Sequence, residues 1–258
     1  MFRTSFAAAA VAAISCLLLV ATGVGVASAA EIKFLCAGAL RTVIPGLVLE
    51  FEKSSGHKVT VAYGGVGALT DRLQKGEAAD VAIVSGPQID ELQKSGKVVA
   101  GSRVDIAKVG VGVFVRKGAL QKPDISSADA FKRSMLAAKA IDYTDPASGA
   151  ADGIYLASLL DRLGIAAEMK PKTKHRPGPS LYASVASGEV EIGFQQISEI
   201  LAEPSVEFIG PLPSAIQNIT QFAAGIIASS TQADAGKALV GFLSSPASVT
   251  VMKAKGFE

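Results

Sequence analysis

Strand-like and helix-like stretches alternate along nearly the whole chain beyond residue 30, and this alternation narrows the fold more than any other feature. Residues 32–36 form a short apolar run with strand character. Leu40, Val43, Ile44, Leu47, Val48 and Phe51 follow at the spacing of one helix face. Pro45-Gly46 interrupts that face, predicting a bend or a late helix start, and Gly56 predicts its stop. Residues 59–63 read as a strand, 68–75 as a short helix stopped by Gly76, and 81–84 as a buried strand. Pro87 sits where a first helical residue belongs, with Gly96 closing that helix.

The pattern continues with a long strand over 106–115, a helix over 126–138, a strand over 140–143 and a leucine-rich helix stopped by Gly164. Ser180 is expected to cap another short helix, ended by Gly188. Strands over 190–194, 206–209 and 222–228 precede a helix over 233–243, before Pro246. Repeated strand-loop-helix units imply a mostly parallel sheet covered by helices, an α/β class. Residues 109–115 and the turn-rich residues 211–221 read as two crossovers. They divide the chain into one lobe of residues 31–112 plus 218–258 and a second of 113–217.

Residues 1–30 hold one charge, Arg3, then an apolar run and Ala27-Ser28-Ala29-Ala30 before Glu31. That order is expected of a secretory signal peptide. Ser15, Thr22 and Gly23 break the run, against the ~20 apolar residues a membrane anchor needs. Without this leader 24 basic and 23 acidic residues remain. A net charge of +1 offers nucleic acid no electrostatic footprint. Cys36 alone then remains, so no internal disulfide is expected, and its apolar neighbours make it a buried small hydrophobe.

Signals for catalysis are sparse. His57 and His175 lie far apart and near no cysteine, no metal-ligand spacing occurs, and no Gly-x-Ser-x-Gly elbow is present. The informative residues lie in four loops that lead into helices. These are Ala37-Gly38-Ala39, Gly64-Gly65-Val66-Gly67, the segment from Asp145 through Ser148 to Ala150, and Gly178-Pro179-Ser180. Helix N-termini present unpaired N–H groups and the positive end of a dipole, and glycine lets backbone approach a ligand. Any one of these loops is a tight turn. The four together, at the carboxyl ends of strands, predict an anion cleft between two lobes.

In four further segments the chain resembles a known family. They are Gly76-Glu77-Ala78-Ala79-Asp80-Val81-Ala82-Ile83, Asp142-Tyr143-Thr144-Asp145-Pro146-Ala147-Ser148-Gly149, Ala186-Ser187-Gly188-Glu189-Val190-Glu191-Ile192-Gly193-Phe194 and Ile209-Gly210-Pro211-Leu212-Pro213. Their order and spacing resemble the periplasmic solute-binding proteins of ABC importers, of the molybdate-binding type. The resemblance implies a two-lobed periplasmic binding protein fold of type II, with two crossovers and the ligand cleft between the lobes. It also implies a monomer in the periplasm that binds molybdate or tungstate without cofactor or metal, delivers it to a membrane permease and catalyses nothing.

The chain departs from that family where the ligand would sit. The family's first-loop hydroxyl falls at Ala39 or Gly38, its second-loop hydroxyls near Gly65 to Gly67, and its late tyrosine near Gln196. Backbone amides of Ala39, Gly67, Ala68, Ala150 and Leu181 remain as donors. Each missing partner of a buried anion costs about 1–3 kcal/mol, and a few such losses take nanomolar binding toward millimolar. Arg41 follows the first loop and Arg176 precedes the fourth. A guanidinium grips a carboxylate with two parallel bonds. The alternative ligand is therefore a small organic carboxylate held by Arg41, Arg176 or both, and the plain alternative for each arginine is a solvated surface charge. A sugar fits less well in a chain with no Trp. A secreted enzyme is the remote alternative.

Overall fold

The computed structural model describes residues 29–258, so the expected leader lies almost wholly outside the described residues. Strand β1 (Glu31–Ala37) buries each side chain from Phe34 to Ala37, Cys36 included. A single 3-10 turn over Gly38–Thr42 follows, and helix α1 (Ile44–Ser55) begins only then, with Pro45 in its first turn where a missing N–H does no harm. Ile44, Leu47, Val48 and Phe51 form the buried face of α1, and Gly56 closes it at φ 76°. Strand β2 (Lys58–Gly64), helix α2 (Val66–Gln74), strand β3 (Val81–Ser85) and helix α3 (Gly86–Lys94) complete the first run of units.

Strand β4 (Val104–Arg116) then passes from one half of the molecule to the other. The second half holds α4 (Ala128–Ala137), β5 (Ile141–Tyr143), α5 (Ala151–Arg162), α6 (Ala166–Met169) and β6 (Thr173–His175). It continues with α7 (Gly178–Ala186), β7 (Ile192–Gln196), α8 (Ile197–Ile200) and β8 (Val206–Pro211). Strand β9 (Ile219–Ile226) leads back to the first half, followed by α9 (Ala233–Leu243) and α10 (Pro246–Lys253).

The strand order is β2-β1-β3-β9-β4-β7-β5-β6, with β8 also on β4. β4 pairs with β9 as far as Gly110 and with β7 from Val111 onward. At that change of partner the Gln217 side chain replaces a strand. Its Oε1 accepts the Val111 N–H and its Nε2 donates to the Val111 carbonyl, both at 2.9 Å. Phe34, Leu40, Ile44, Ile83 and Leu239 centre the core of the first half. The second half has a core on each face of its sheet, one around Phe131, Leu156 and Phe194 and one around Phe114, Leu181 and Val185.

Two expectations are corrected. The sheet is not mostly parallel: β1–β2, β1–β3, β5–β6 and β5–β7 are parallel, but β3–β9, β4–β7, β4–β8 and β4–β9 are antiparallel. The strands that carry the chain between the halves run against their neighbours. Ser180 is not a cap, because α7 begins two residues earlier with Pro177 at the capping position.

Candidate functional site

The carboxyl ends of β1, β2, β5 and β7 face one cavity of about 690 Å³ between the two halves. From the first half it is lined by Gly38, Ala39, Arg41 and Thr42 after β1 and by Gly64 and Gly65 after β2. From the second half come Thr144, Asp145, Ser148, Ala150 and Asp152 around the start of α5, and His175 and Tyr182 around α7. Gln195 and Gln196 at the end of β7 and Glu199 in α8 complete the wall. Ligands of open α/β sheets bind at such strand ends.

Among the described residues Arg41 is the one Lys or Arg in the lining. Its guanidinium carbon lies 5.0 Å from the centre of the Tyr63 ring, a cation–π contact that orients an otherwise exposed side chain. Two acids face the same space. Asp152, only 4% exposed, sits in the first turn of α5. Burial pushes its carboxyl up to about 6, against the Thr144 hydroxyl and the N–H groups of Asp152 and Gly153. Burial, and then the nearby charge of Asp152, push Glu199 up to about 8, while Arg41 pulls the other way. Four buried polar atoms in this wall have no hydrogen-bond partner among the described residues: the Thr42 hydroxyl, Asp152 Oδ2, the Tyr182 hydroxyl and Gln196 Oε1. Among the described residues no group of three His, Cys, Asp or Glu side chains converges as a metal site would require.

The two halves touch at one edge of the cavity. The Gly67 N–H donates to the Gly149 carbonyl at 3.1 Å. A Cβ at Gly65 would lie 2.5 Å from the Ser148 carbonyl oxygen, and one at Gly67 would lie 3.3 Å from Gly149 Cα. The glycines of the second loop therefore serve close backbone contact between the halves.

Of the residues singled out from sequence, Gly38, Ala39, Arg41, Gly65, Ser148, Ala150 and Gln196 line the cavity. Five do not. Gly67 gives its N–H to Gly149, and Ala68 packs against the same residue. Ser180 is exposed within α7, and the Leu181 N–H is taken by the Pro177 carbonyl. Arg176 is held by Glu189 and by fully buried Asp142, 3.4 Å away, so its charge is already matched. Sequence reasoning missed Thr42, Thr144, Asp152, Gln195 and Glu199. One signal for them was present: Gln195-Gln196 puts two amides at the end of an otherwise apolar strand, just before Glu199.

The model of the bacterial extracellular solute-binding protein family matches residues 32–258. An aconitate isomerase from a Pseudomonas species is 34% identical over 227 residues, covering 86% of this chain and 83% of its own. A molybdate-binding protein from Azotobacter vinelandii is 28% identical over 250 residues, covering 93% of this chain and 96% of its own. The solved structure of a periplasmic molybdate-binding protein from that organism superposes with a TM-score of 0.73 at 18% identity, over 88% of this chain and 99% of the other. The fold expected from sequence, two α/β lobes joined by two crossovers around a cleft, is the fold of these relatives. A family match that runs from the first strand to the last residue settles the classification: the chain belongs to the bacterial extracellular solute-binding proteins.

Proposed function

We propose that the cleft binds a small organic polycarboxylate, with Arg41 gripping one of its carboxylates, and that the protein does so in the periplasm as the receptor of an ABC importer. The observation that carries this reading is the pairing of Arg41 with a cavity of about 690 Å³. That volume falls within the ~300–1,000 Å³ typical of sites for organic ligands. The relative from Pseudomonas is named for aconitate, a tricarboxylate, and supports the same class. Gly38, Ala39, Gly65, Ser148, Ala150 and Gln196 would shape the wall around the ligand. Lobes of residues 31–112 plus 218–258 and 113–217 would close over it, and a membrane permease would receive it.

Molybdate or tungstate is the second reading. The Azotobacter relative favours it, and so does the Thr42 hydroxyl, which lines the cavity without a hydrogen-bond partner among the described residues. Against it, the Gly67 N–H is occupied by Gly149, and the Ser148 hydroxyl donates to the Asp145 carbonyl at 2.6 Å. A tetrahedral oxyanion needs such neutral donors free.

Titration calorimetry of the mature chain with cis- and trans-aconitate, citrate, molybdate, tungstate and sulfate separates the two. The expected result is saturable binding of a polycarboxylate and none of molybdate. Arg41→Ala should weaken that binding about 30-fold or more, since truncating one partner of a buried charge pair costs about 2–5 kcal/mol. Arg176→Ala should leave it within about threefold. Binding of molybdate or tungstate with no response to any organic acid would overturn the polycarboxylate reading.

A further inference from the structure

A relative of this chain is named an aconitate isomerase, and we propose that here Asp152 and Glu199 are the pair of acids that relays a proton across an unsaturated polycarboxylate held in the cleft and moves its carbon–carbon double bond. This rests on the polycarboxylate reading above.

The placement of the two acids carries the inference. β5 and β7 are adjacent parallel strands, so the segments that leave their carboxyl ends lie side by side. Asp152 comes from one segment and Glu199 from the other, and both reach the same cavity. A receptor that only binds an anion gains nothing from two carboxyls in its wall, because ionised they repel the ligand. A proton-transfer site needs such a pair, one group ionised and one protonated, in an environment that keeps both poised near neutral pH. The buried Asp152 Oδ2 and Tyr182 hydroxyl have no hydrogen-bond partner among the described residues. A buried polar atom left unpaired is a group waiting for a ligand or a reaction. Arg41 lines the cavity from the other half, where it would stabilise the negative charge that builds on a carboxylate during the transfer.

The chemistry balances without a cofactor. The substrate carries a methylene next to one carboxylate and allylic to a double bond conjugated with another. Ionised Asp152 takes a proton from the methylene. The C–H electron pair forms the new double bond, and the old π pair accepts a proton from Glu199 at the far carbon. One proton leaves the substrate and one enters, nothing is oxidised or reduced, and the carboxyl pair ends with the one proton it began with, now on Asp152. Return of that proton through solvent resets the pair.

Proton NMR of the mature chain with trans- or cis-aconitate in D2O tests this. The expected result is interconversion of the two isomers with deuterium entering the methylene carbon. Asp152→Asn and Glu199→Gln should each slow both processes by about 100-fold or more, while calorimetry shows trans-aconitate still bound within about tenfold of the parent affinity. The parent rate should follow a bell in pH, set by the acid pair together with Arg41, Asp145, His175 and Glu203, which share the cavity wall. Tight binding with neither isomerisation nor deuterium uptake would overturn the inference and leave the binding reading intact. No binding of any polycarboxylate would overturn both.

Discussion

Glu199 shows how a single residue can carry a pH dependence that belongs to the whole fold. In the unfolded chain its carboxyl titrates near 4.5, and in the folded protein burial and Asp152 raise it to about 8. The folded state therefore holds this proton more tightly than the unfolded state. The stabilisation is fully present below about pH 4.5 and is lost as pH rises through about 8. Asp152, raised from 3.8 to about 6 mainly by burial, adds a loss of the same sign at lower pH. The ligand-free melting temperature should fall between pH 6 and pH 9, and Glu199→Gln should reduce that fall by about 2–4 °C or more, the shift that 1 kcal/mol makes in a chain of this size. Melts of the two proteins with the same slope would show that Glu199 ionises freely in solution. These acids were hard to read from sequence because an acid in the first turn of a helix also suits the helix dipole. Arg41 and Arg176 looked alike for a similar reason. Both sit beside loops, and only the fold brings Asp142, 34 positions away, against Arg176.

At the scale of elements, the alternation of strands and helices was legible because it rests on local periodicity, and the late start of α1 at Ile44, with Pro45 in its first turn, followed from the ring itself. What stayed hidden was pairing. Nothing local tells β4 that its first half lies on β9 and its second on β7. Helix α10 was missed because Pro246 was read as the end of the preceding helix when it sits in the first turn of the next. The switch of partners along β4 is also where the fold is most exposed to one substitution. Gln217→Ala would leave the Val111 carbonyl with the Leu212 N–H, which donates at 3.1 Å, but the Val111 N–H with nothing. A stability loss of about 1–3 kcal/mol is expected, the cost of an orphaned buried donor, and urea unfolding would measure it. A variant within about 0.5 kcal/mol of the parent would mean that water takes the place of the amide.

The whole molecule offers a substitution that separates folding from closure. Gly65 has φ −63° and ψ 147°, values that alanine adopts without strain. Its backbone conformation does not require glycine there. The atoms that a Cβ would meet are Ser148 O at 2.5 Å, Gly149 C at 3.1 Å and Ala150 N at 3.2 Å, all backbone of the other lobe. Backbone cannot turn aside as a flexible side chain can, so Gly65→Ala should penalise the arrangement in which the two halves touch at this edge and leave each half's own packing alone. A ligand that binds across the cleft must then supply the free energy of closing against that contact, and its apparent affinity falls by the lost fraction of the closed state. The expected outcome is an affinity lower by about 10- to 100-fold, with small-angle scattering showing a weaker compaction on ligand addition and urea unfolding of the ligand-free variant unchanged. Gly46→Ala, where a Cβ meets nothing within 4 Å, is the matched control: it should leave affinity and compaction unchanged and raise stability to urea by only the ~0.5–1 kcal/mol that alanine gains over glycine in a helix. If Gly65→Ala binds as tightly as the parent, the ligand is held by a cleft that need not close at this edge, and the glycines of the second loop were not selected for the contact they make here.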